Sequence, residues 1–415
     1  MYIDERLDPE ERALLALVGE VAADAGGAAF LVGGPVRDLL LGRHSPDIDI
    51  AVEGPVAEIT EALARRLHAT VRKTTEFMTS TLVLPNGMEL DIARTRTETY
   101  PKPGALPVVE GATLAEDLGR RDFTVNAMGM SLAARHFGEL IDPHRGRGDL
   151  QRRHLRVLHD DSFADDPTRM LRAARFMLRL DLTLEARTAE LLARAVVERR
   201  PAGVSGARLR NELDVIFREA PARGLPTLQD LRLLEGMALT PASERAREAA
   251  GLLPGAARAL EIGIDEAEPT ATCLGLYAGL SEQDAAELAE RLMLDAAAGH
   301  ALTQAAALVG DPPDVLSCEA RCSDTFCALC TLHPAGALAM WTVLDGTGRR
   351  RLERYWHDLR GACADIDGSD LIAAGHEPGP GFAAALDAAL AAKLDEGANR
   401  AEQLRVADER LKALQ

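Results

Sequence analysis

The sequence predicts an α+β protein in which an N-terminal α/β segment precedes a nearly all-helical remainder. Up to about residue 150, β-type runs such as AAFLVGG and TSTLVLPNGMELDIARTR alternate with helical runs such as AEITEALARRLHA. The PNG between two apolar runs is a hairpin signal. From about residue 152, stretches with helical spacing such as TAELLARAVVERR dominate, and breaks that contain Pro and Gly divide them into groups.

The chain is long enough for several hydrophobic cores. It has 415 residues, of which 47% are hydrophobic, and domains commonly contain about 100–200 residues. We expect four parts with soft boundaries, at 1–150, 151–220, 221–340 and 341–415. The N-terminal segment MYIDERLDPEERALLALVGE is acidic and lacks a basic region followed by an apolar one. We therefore expect a cytoplasmic protein without a membrane span.

The net charge limits which partners the surface can bind. A formal charge of −18 argues against a general nucleic-acid binder, because Lys and Arg supply most non-specific affinity for phosphate. Any nucleic acid must meet a local basic patch, and the run HRGRGDLQRRHLR offers one with a single acid, Asp149. A solvated loop and helix start explains this run equally well. Its arginines are Arg145, Arg147, Arg152, Arg153 and Arg156.

Four of the six cysteines lie in SCEARCSDTFCALC, just before His333. These are Cys318, Cys322, Cys327 and Cys330. Their spacings match no common zinc knuckle, and only one Cys-x-x-Cys is present. Small cysteines suit tight packing in an Ala/Leu-rich helical region, so we expect reduced thiols in a helical core.

Paired carboxylates in PDIDIAV carry the first chemical signal. In a strand, residues i and i+2 point to the same face, so Asp47 and Asp49 project together. Two like charges so close need a cation, and oxygen ligands at this spacing suit Mg²⁺, which usually keeps water and substrate phosphates as further ligands. Asp91 in MELDIARTR ends a similar run and completes the site if its strand lies beside the first.

A glycine pair stands where a strand gives way to a helix. Gly33 and Gly34 follow the apolar run AAFLV and precede VRDLLLG. At such a turn, backbone N–H groups can approach a triphosphate, and Arg37 could add a bidentate phosphate contact. A lone Gly-Gly is usually only a turn, but together with the paired aspartates it predicts phosphoryl or nucleotidyl transfer.

These residues carry a family resemblance. GGPVRDLLLG followed by DIDI resembles the nucleotidyltransferase superfamily that includes DNA polymerase β. More narrowly, RRDFTVNAM (120–128) and DDPTRMLRAARF (165–176) resemble motifs of the bacterial-type class II tRNA nucleotidyltransferases, or CCA-adding enzymes, and of their poly(A) polymerase relatives. In that family the first motif recognises ribose and the second reads the incoming base. The resemblance extends from about residue 28 to 215.

The resemblance implies an architecture and a set of site residues. It implies a polymerase-β-like catalytic head at 1–150, a helical neck with the base-reading motif at 151–220, a body at 221–340 and a tRNA-binding tail at 341–415. The implied catalytic residues are Asp47, Asp49 and Asp91, of which the first two hold the metal. The implied nucleotide-binding residues are Gly33, Gly34, Arg37, Arg120, Arg121, Asp122, Asn126, Asp165, Asp166, Arg169, Arg172 and Arg175.

The spacing in DDPTR supports the base-reading role. Asp166 and Arg169 are i and i+3 on a predicted helix, so they share a face and can present an acceptor and donors to a base edge. A salt bridge from Asp165 would hold Arg169 in position. A capping cluster before a basic amphipathic helix is the structural alternative, and both can hold at once.

The expected reaction is attack of a tRNA 3′-hydroxyl on the α-phosphate of CTP or ATP by a two-metal mechanism, with Mg²⁺ as cofactor and no nucleic-acid template. The partners are the tRNA acceptor stem and 3′ end, ATP and CTP, with no stable protein partner implied, and the basic run 145–156 would meet the acceptor stem. Full CCA addition is expected. In the family that the chain resembles, members restricted to CC tend to have a shortened loop between the third acid and the RRD motif. Here the loop 97–119 is long and rich in Pro and Gly, as expected of a mobile segment, so the resemblance disfavours CC-only addition and leaves A-only addition open. Weaker alternatives are a poly(A) polymerase, a small-molecule nucleotidyltransferase and a non-catalytic RNA-binding protein.

Overall fold

A computed structural model describes residues 2–45, 47–74, 79–99, 108–237, 244–275 and 280–414. The strands are β1 Ala28–Val32, β2 Ile48–Glu53, β3 Thr70–Thr74, β4 Thr79–Val83, β5 Glu89–Arg94, β6 Arg96–Thr99, β7 Val108–Gly111, β8 Gly129–Ser131, β9 Leu140–Ile141, β10 His154–Leu155 and β11 Thr183–Leu184. The helices to residue 219 are α1 Pro9–Asp24, α2 Gly34–Leu40, α3 Val56–Arg66, α4 Leu114–Gly119, α5 Gly146–Gln151, α6 Ser162–Asp165, α7 Thr168–Leu180, α8 Ala186–Val197 and α9 Gly206–Glu219. The later helices are α10 Gly224–Asp230, α11 Leu233–Gly236, α12 Glu244–Leu260, α13 Pro269–Gly275, α14 Glu282–Arg291, α15 Ala296–Gly310, α16 Cys322–Leu329, α17 Pro334–Val343, α18 Gly346–Arg354, α19 Gly368–Ala373, α20 Gly381–Glu396 and α21 Arg400–Leu414, with a π-helical turn at Tyr355–Leu359.

The chain forms two compact units. One contains Met1–Val204 with Asp230–Thr240, and the other contains Ser205–Gln229 with Pro241–Gln415. The boundary falls inside the expected neck (151–220), and the expected head shares its unit with most of that neck. The four-part division at 1–150, 151–220, 221–340 and 341–415 therefore does not coincide with the compact units, and it stays a prediction.

A mixed seven-stranded sheet organises the first unit. Its strand order is β3-β4-β5-β2-β1-β8-β9, and β2 and β5 are parallel while the other neighbours are antiparallel. Alternating residues of the central strands, such as Ile50 in β2 and Leu90 and Ile92 in β5, are buried at 1% exposure or less. Together with α1 and α3 they form the core. The predicted α/β head is confirmed.

Sequence signals account for the boundaries of the first helix. Asp8 accepts from the backbone N–H groups of Glu10 and Glu11, and the Glu11 side chain returns a contact to the Asp8 N–H. This capping box, with Pro9 at the first helical position, starts α1 where it does. The neck was expected to be purely helical, but it contains the two-residue strands β10 and β11, which pair in parallel.

The described part of the second unit is helical. Small residues set the packing of its last two helices: Ala385 and Ala389 of α20 lie against Ala407 and Leu411 of α21. No single helix among the described residues is long and apolar enough to cross a bilayer. The bent pair Cys322–Leu329 and Pro334–Val343 passes that test by length and composition.

Two expectations need correction. The four clustered cysteines are free thiols, but Cys318, Cys327 and Cys330 are exposed and Cys322 is half-buried, so they are not core residues. Of the four, Cys322 and Cys327 lie in the short helix α16, which buries Thr325 and Leu329 instead. The segment 97–119, expected to be a loop, contains regular structure in its described part: its flanks pair as β6 and β7, and its end forms α4. Residues 100–107, on which the expectation of a mobile loop falls, lie outside the described residues.

Candidate active site

Three aspartates of the sheet line one pocket. Asp47 lies just before β2, Asp49 lies in β2 and Asp91 lies in β5. Because β2 and β5 are parallel neighbours with Asp49 opposite Asp91, both side chains leave the same face of the sheet. On the other side of β5, the Thr81 hydroxyl donates a hydrogen bond to Asp91 Oδ1 (2.5 Å). The fold thus brings the third acid beside the first pair.

The three carboxylates make a site of excess negative charge. Burial raises the pKa of Asp49 above its ordinary value; the Arg121 charge opposes this rise, and the Asp91 and Asp47 charges add to it. A cation beside these oxygens would relieve the repulsion, and carboxylate oxygens are the ligands that Mg²⁺ prefers. The donor set therefore fits a divalent metal.

The compact three-ligand set of the described residues lies elsewhere. In that part of the chain, only Asp8, Glu11 and His44 place three potential metal-binding atoms within 4.8 Å of one another. Helix capping brings Asp8 and Glu11 together, because Asp8 Oδ1 accepts from the Glu11 N–H (2.8 Å). His44 joins them through its Nδ1, which lies 3.6 Å from the Glu11 carboxylate. The aspartates of the pocket are more widely spaced, and the two-metal arrangement stays a prediction.

The glycine turn has a geometric requirement at its first residue. Gly33 has φ +75°, a conformation that favours glycine, and a Cβ there would lie 2.6 Å from Arg121 Nη1. Its N–H donates to the Met128 carbonyl oxygen (3.0 Å). That N–H is therefore satisfied within the fold, which corrects the expectation that Gly33 offers it to a phosphate.

Arg37 is held inside the fold. It is 3% exposed, its Nε and Nη2 donate to the two Asp38 carboxylate oxygens (2.9 and 2.8 Å), and its Nη1 donates to Asn126 Oδ1 (2.6 Å). These bonds use three of its five N–H donors, so a phosphate contact has to use the others. Asp38 was missed from the sequence, although its place directly after Arg37 was the available signal.

Asp122 and Asn126 join Arg37 to the helix α7. Asp122 Oδ2 accepts from Nε and Nη2 of Arg172 (2.9 and 2.6 Å), and Oδ1 accepts from Asn126 Nδ2 (3.1 Å) and the Phe123 N–H (2.8 Å). Burial raises the pKa of Asp122, but the Arg172 charge and these hydrogen bonds outweigh it and leave the pKa below its ordinary value. The carboxylate is 8% exposed, so its expected ribose contact stays a prediction.

Arg120 and Arg121 converge on acids that the sequence analysis missed. Arg120 donates from Nη1 to Glu98 (2.6 Å) and from Nη2 to Asp117 Oδ1 (2.8 Å), and Arg121 Nη2 donates to Asp117 Oδ2 (3.1 Å). Burial raises the pKa of Asp117, but the two arginines lower it below its ordinary value. Asp117 precedes them by one helical turn in AEDLGRR, which was the missed signal. Arg121 Nε is buried without a partner in the described structure.

The two base-reading residues lie on different segments, because Asp166 precedes α7 whereas Arg169 is in its first turn. Asp166 is extended (φ −133°, ψ 97°) and accepts from the Thr168 N–H (3.1 Å) and hydroxyl (2.7 Å). It therefore caps the helix and does not share a helical face with Arg169 as i and i+3. Both residues nevertheless line the pocket, and Pro167 occupies the N-cap position directly before the helix.

The structure does not contain the expected salt bridge between Asp165 and Arg169, both of which it describes. Arg169 donates from Nη1 to the Ser162 hydroxyl (2.8 Å) and from Nη2 to the Arg120 carbonyl oxygen (2.7 Å). Asp165 Oδ2 instead lies 3.9 Å from Nε2 of His159. Because α6 ends at Asp165 and the chain is extended at Asp166, the one-turn geometry of a continuous helix is not formed between the two residues.

Phe176, the last residue of the motif DDPTRMLRAARF, also lines the pocket, and no role was predicted for it from the sequence. It is 5% exposed, and the guanidinium carbons of Arg37, Arg172 and Arg175 lie 5.6, 5.5 and 6.0 Å from its ring centroid. The pocket has a volume of about 610 Å³, within the range of small-molecule sites. Its lining joins the aspartates, the glycine turn and the α7 arginines.

The basic run 145–156 is less basic in space than in sequence. Arg156 pairs with Asp149 (3.0 Å) and Glu185 (3.3 Å), Arg152 also reaches Asp149 (3.5 Å), and Arg153 pairs with Asp181. The structure gives Arg145 and Arg147 no ion-pair partner among the residues it describes. Asp149 of the run itself and the distant acids Asp181 and Glu185 thus pair with three of the five arginines, and tRNA binding by this run stays a prediction.

The chain is similar to known proteins in sequence and in fold. Residues 29–156 match the Poly A polymerase head domain. An A-adding tRNA nucleotidyltransferase from Geobacter sulfurreducens is 34% identical over 95% of the chain and 46% of its own length. A CC-adding tRNA nucleotidyltransferase from Deinococcus radiodurans is 34% identical over 99% of the chain and 94% of its own length. The Thermotoga maritima CCA-adding enzyme complexed with tRNA has a TM-score of 0.81 at 30% identity, over 100% of the chain and 98% of that structure.

The fold and the site define a nucleotidyltransferase with a polymerase-type head. The full-length match to the Deinococcus relative extends this to the helical remainder, and the chain belongs to the tRNA nucleotidyltransferase family. The chain spans about half or less of the length of the A-adding relatives that it matches.

Replacing Asp122 with Asn should destabilise the folded protein in a pH-dependent way. The pKa of Asp122 is lower in the folded state than its ordinary value of 3.8. Its stabilising contribution is therefore fully present above about pH 4 and is lost as the pH falls through the folded-state pKa. We expect the D122N variant to lose about 1–3 kcal/mol of unfolding free energy at pH 7, and less at pH 3, by urea unfolding. An equal loss at both pH values would contradict this assignment.

Proposed function

We propose that this protein adds nucleotides from CTP and ATP to the 3′ end of tRNA without a nucleic-acid template, and that full CCA addition is its activity. The observation that carries the proposal is the register that sets Asp49 beside Asp91, in one pocket with the glycine turn and with Arg169. Such a pocket can hold a triphosphate at the carboxylates while protein groups contact the base.

Asp47 and Asp49 are the proposed ligands of Mg²⁺. When bound there, Mg²⁺ would supply the charge that lowers the pKa of the attacking hydroxyl and stabilises the leaving pyrophosphate. Asp91, which accepts a hydrogen bond from the Thr81 hydroxyl, is the third carboxylate on the side of the pocket where the reaction is proposed to occur. Arg121 faces the glycine turn with an unpartnered Nε, and it is the proposed phosphate contact on that side.

Base reading is proposed for Asp166 and Arg169. The Arg169 guanidinium is fixed by Ser162 and by the Arg120 carbonyl, and such fixed donors discriminate among base edges because a wrong base leaves them unpaired. Asp166, which caps α7, lines the same pocket and offers an acceptor. The sites therefore need no pairing strand to select C and A.

A-only addition is the second candidate. The observation that favours it is the match to A-adding relatives, one of which aligns with 95% of this chain. Full addition and A-only addition use the same transfer chemistry at the carboxylates, so they differ in which nucleotides and which tRNA ends are accepted.

Incorporation of labelled CTP and ATP into tRNA transcripts tests the proposed activity directly. Three transcripts are used: one that lacks CCA, one that ends in CC and one that is complete. We expect C and then A addition to the first, and loss of about a thousandfold in rate for Asp49→Asn.

Asp8→Asn is the matched control, because it removes a carboxylate of the group Asp8, Glu11 and His44 but keeps a good N-cap residue for α1. We expect this variant to stay active. Addition of A alone to the CC transcript would establish the second candidate. No incorporation into any transcript would contradict the tRNA assignment.

We also infer where an acidic protein contacts tRNA in its C-terminal part. The segment GRRRLERYWHDLR at 348–360 contains five arginines and two acids. Among the described residues, none of these five arginines lies in an ion pair within 4.0 Å. Arg350, Arg354 and Arg360 are exposed, and the Arg360 guanidinium lies 3.8 Å from the Trp356 ring. Un-neutralised arginines beside an aromatic ring suit an RNA backbone.

The salt dependence of tRNA binding distinguishes this surface from the basic run. Each lost phosphate contact reduces the slope of log Kobs against log[salt] by about 0.7–0.9. We expect Arg350→Ala/Arg354→Ala to reduce the slope by about 1–2. The control Arg152→Ala/Arg153→Ala, whose arginines are already ion-paired, should change it by less than half as much. The reverse order would overturn the assignment of the C-terminal surface.

A further inference from the structure

Phe176 lies where two parts of the pocket meet. Arg37, whose guanidinium is 5.6 Å from the Phe176 ring centroid, belongs to α2, directly after the glycine turn. Arg172 and Arg175, at 5.5 and 6.0 Å, belong to α7, the helix of Phe176 itself. Cations within about 6 Å of a ring centroid are attracted by its quadrupole, so one ring attracts charges from both helices.

The ring is itself fixed by a neighbouring aromatic side chain. The Phe123 and Phe176 centroids are 5.8 Å apart, with the planes at 80°, the edge-to-face arrangement that aromatic pairs prefer. Phe123 is fully buried and Phe176 is 5% exposed. The position of the ring is therefore set from the core side, and its position in turn constrains the arginines around it.

A chain of hydrogen bonds also connects Arg37 of α2 with Arg172 of α7. Arg37 donates to Asn126 (2.6 Å), Asn126 donates to Asp122 (3.1 Å), and Arg172 donates to Asp122 (2.6 Å). Arg37 and Arg172 are thus linked once through this chain and once through the Phe176 ring. Two independent links between the same groups limit sliding of α7 relative to α2.

The positions of Arg37 near the start of α2 and of Arg169 near the start of α7 relate these contacts to the nucleotide. A Cβ on Gly34 would lie 3.6 Å from Arg37 Nη2, so Arg37 flanks the glycine turn. Arg169 lies one helical turn before Arg172 on α7. Any shift of α7 against α2 therefore changes the distance from the triphosphate side of the pocket to the base-reading side.

We propose that Phe176 is a positioning residue for nucleotide selection: its ring, held among Arg37, Arg172 and Arg175, fixes the base-reading helix at a set distance from the glycine turn. This inference rests on the proposed function, because it assigns the triphosphate to the turn and the base to Arg169. Phe176 touches no reacting atom, and it acts through the arginines that it contacts.

Nucleotide discrimination is the measurement that tests Phe176. Values of kcat and KM are determined for ATP, GTP, CTP and UTP with the tRNA transcripts. In Phe176→Leu we expect the kcat/KM ratios of ATP to GTP and of CTP to UTP to fall about tenfold, as loss of two or more cation–π contacts implies. Phe176→Tyr, which keeps the ring, should retain both ratios within about twofold.

Phe217→Leu is the matched control for packing loss. Phe217 is fully buried in α9 of the other compact unit, and no guanidinium group among the described residues lies over its ring. It should lower the melting temperature without changing either ratio. Wild-type ratios in Phe176→Leu, with a melting-temperature loss like that of Phe217→Leu, would overturn the proposal. If Phe176→Leu does not fold, Phe176→Met makes the same comparison.

Binding of the four nucleoside triphosphates, measured by calorimetry, separates this proposal from the proposed function. If the wild type binds ATP and CTP more tightly than GTP and UTP and Phe176→Leu does not, the positioning role holds even without transfer to tRNA. If transfer occurs but Phe176→Leu keeps both the binding preference and the kinetic ratios, the proposed function stands and the positioning role is wrong.

Discussion

The parallel pairing of β2 with β5 is the constraint on which the rest of the site depends. Its register sets Asp49 directly beside Asp91, with Asp47 two residues away, in a partly buried position where like charges repel strongly. Burial and this repulsion raise the pKa of Asp49. The fold holds the arrangement because both strands lie at the centre of the sheet, with core residues such as Ile50 and Ile92 on the opposite face.

The arginines around this acidic centre are themselves restrained. Arg37, Arg120 and Arg172 each donate to a carboxylate, so charges that could otherwise adapt to any anion are held in fixed directions. Fixed donors and acceptors in a confined pocket are the condition under which a protein surface can distinguish one base from another. The pairing of arginines with acids thus serves the stability of the fold and the geometry of the pocket together.

The sequence was informative where function depends on local spacing. The i, i+2 aspartates, the glycine turn and the start of α7 at Pro167 all follow from strand alternation, backbone freedom and capping. It was misleading where long-range contacts decide. Asp181 and Glu185 neutralise arginines more than 25 residues away. It was also misleading at one local feature, because the chain is extended at Asp166 and this break between α6 and α7 separates Asp165 from Arg169. The buried partner Asp38 directly follows Arg37, and Asp117 lies one helical turn before Arg120 and Arg121. Both were missed because a carboxylate near an arginine in the sequence is usually solvated.

The location of Mn²⁺, used as a substitute for Mg²⁺, tests the central claim most directly. Crystals of the protein grown with Mn²⁺ and a non-hydrolysable CTP analogue would be measured for anomalous scattering. The account predicts a peak in contact with Asp47 and Asp49, adjacent to the analogue's phosphates. A peak at Asp8, Glu11 and His44 alone, or an analogue bound without metal at the aspartates, would contradict it.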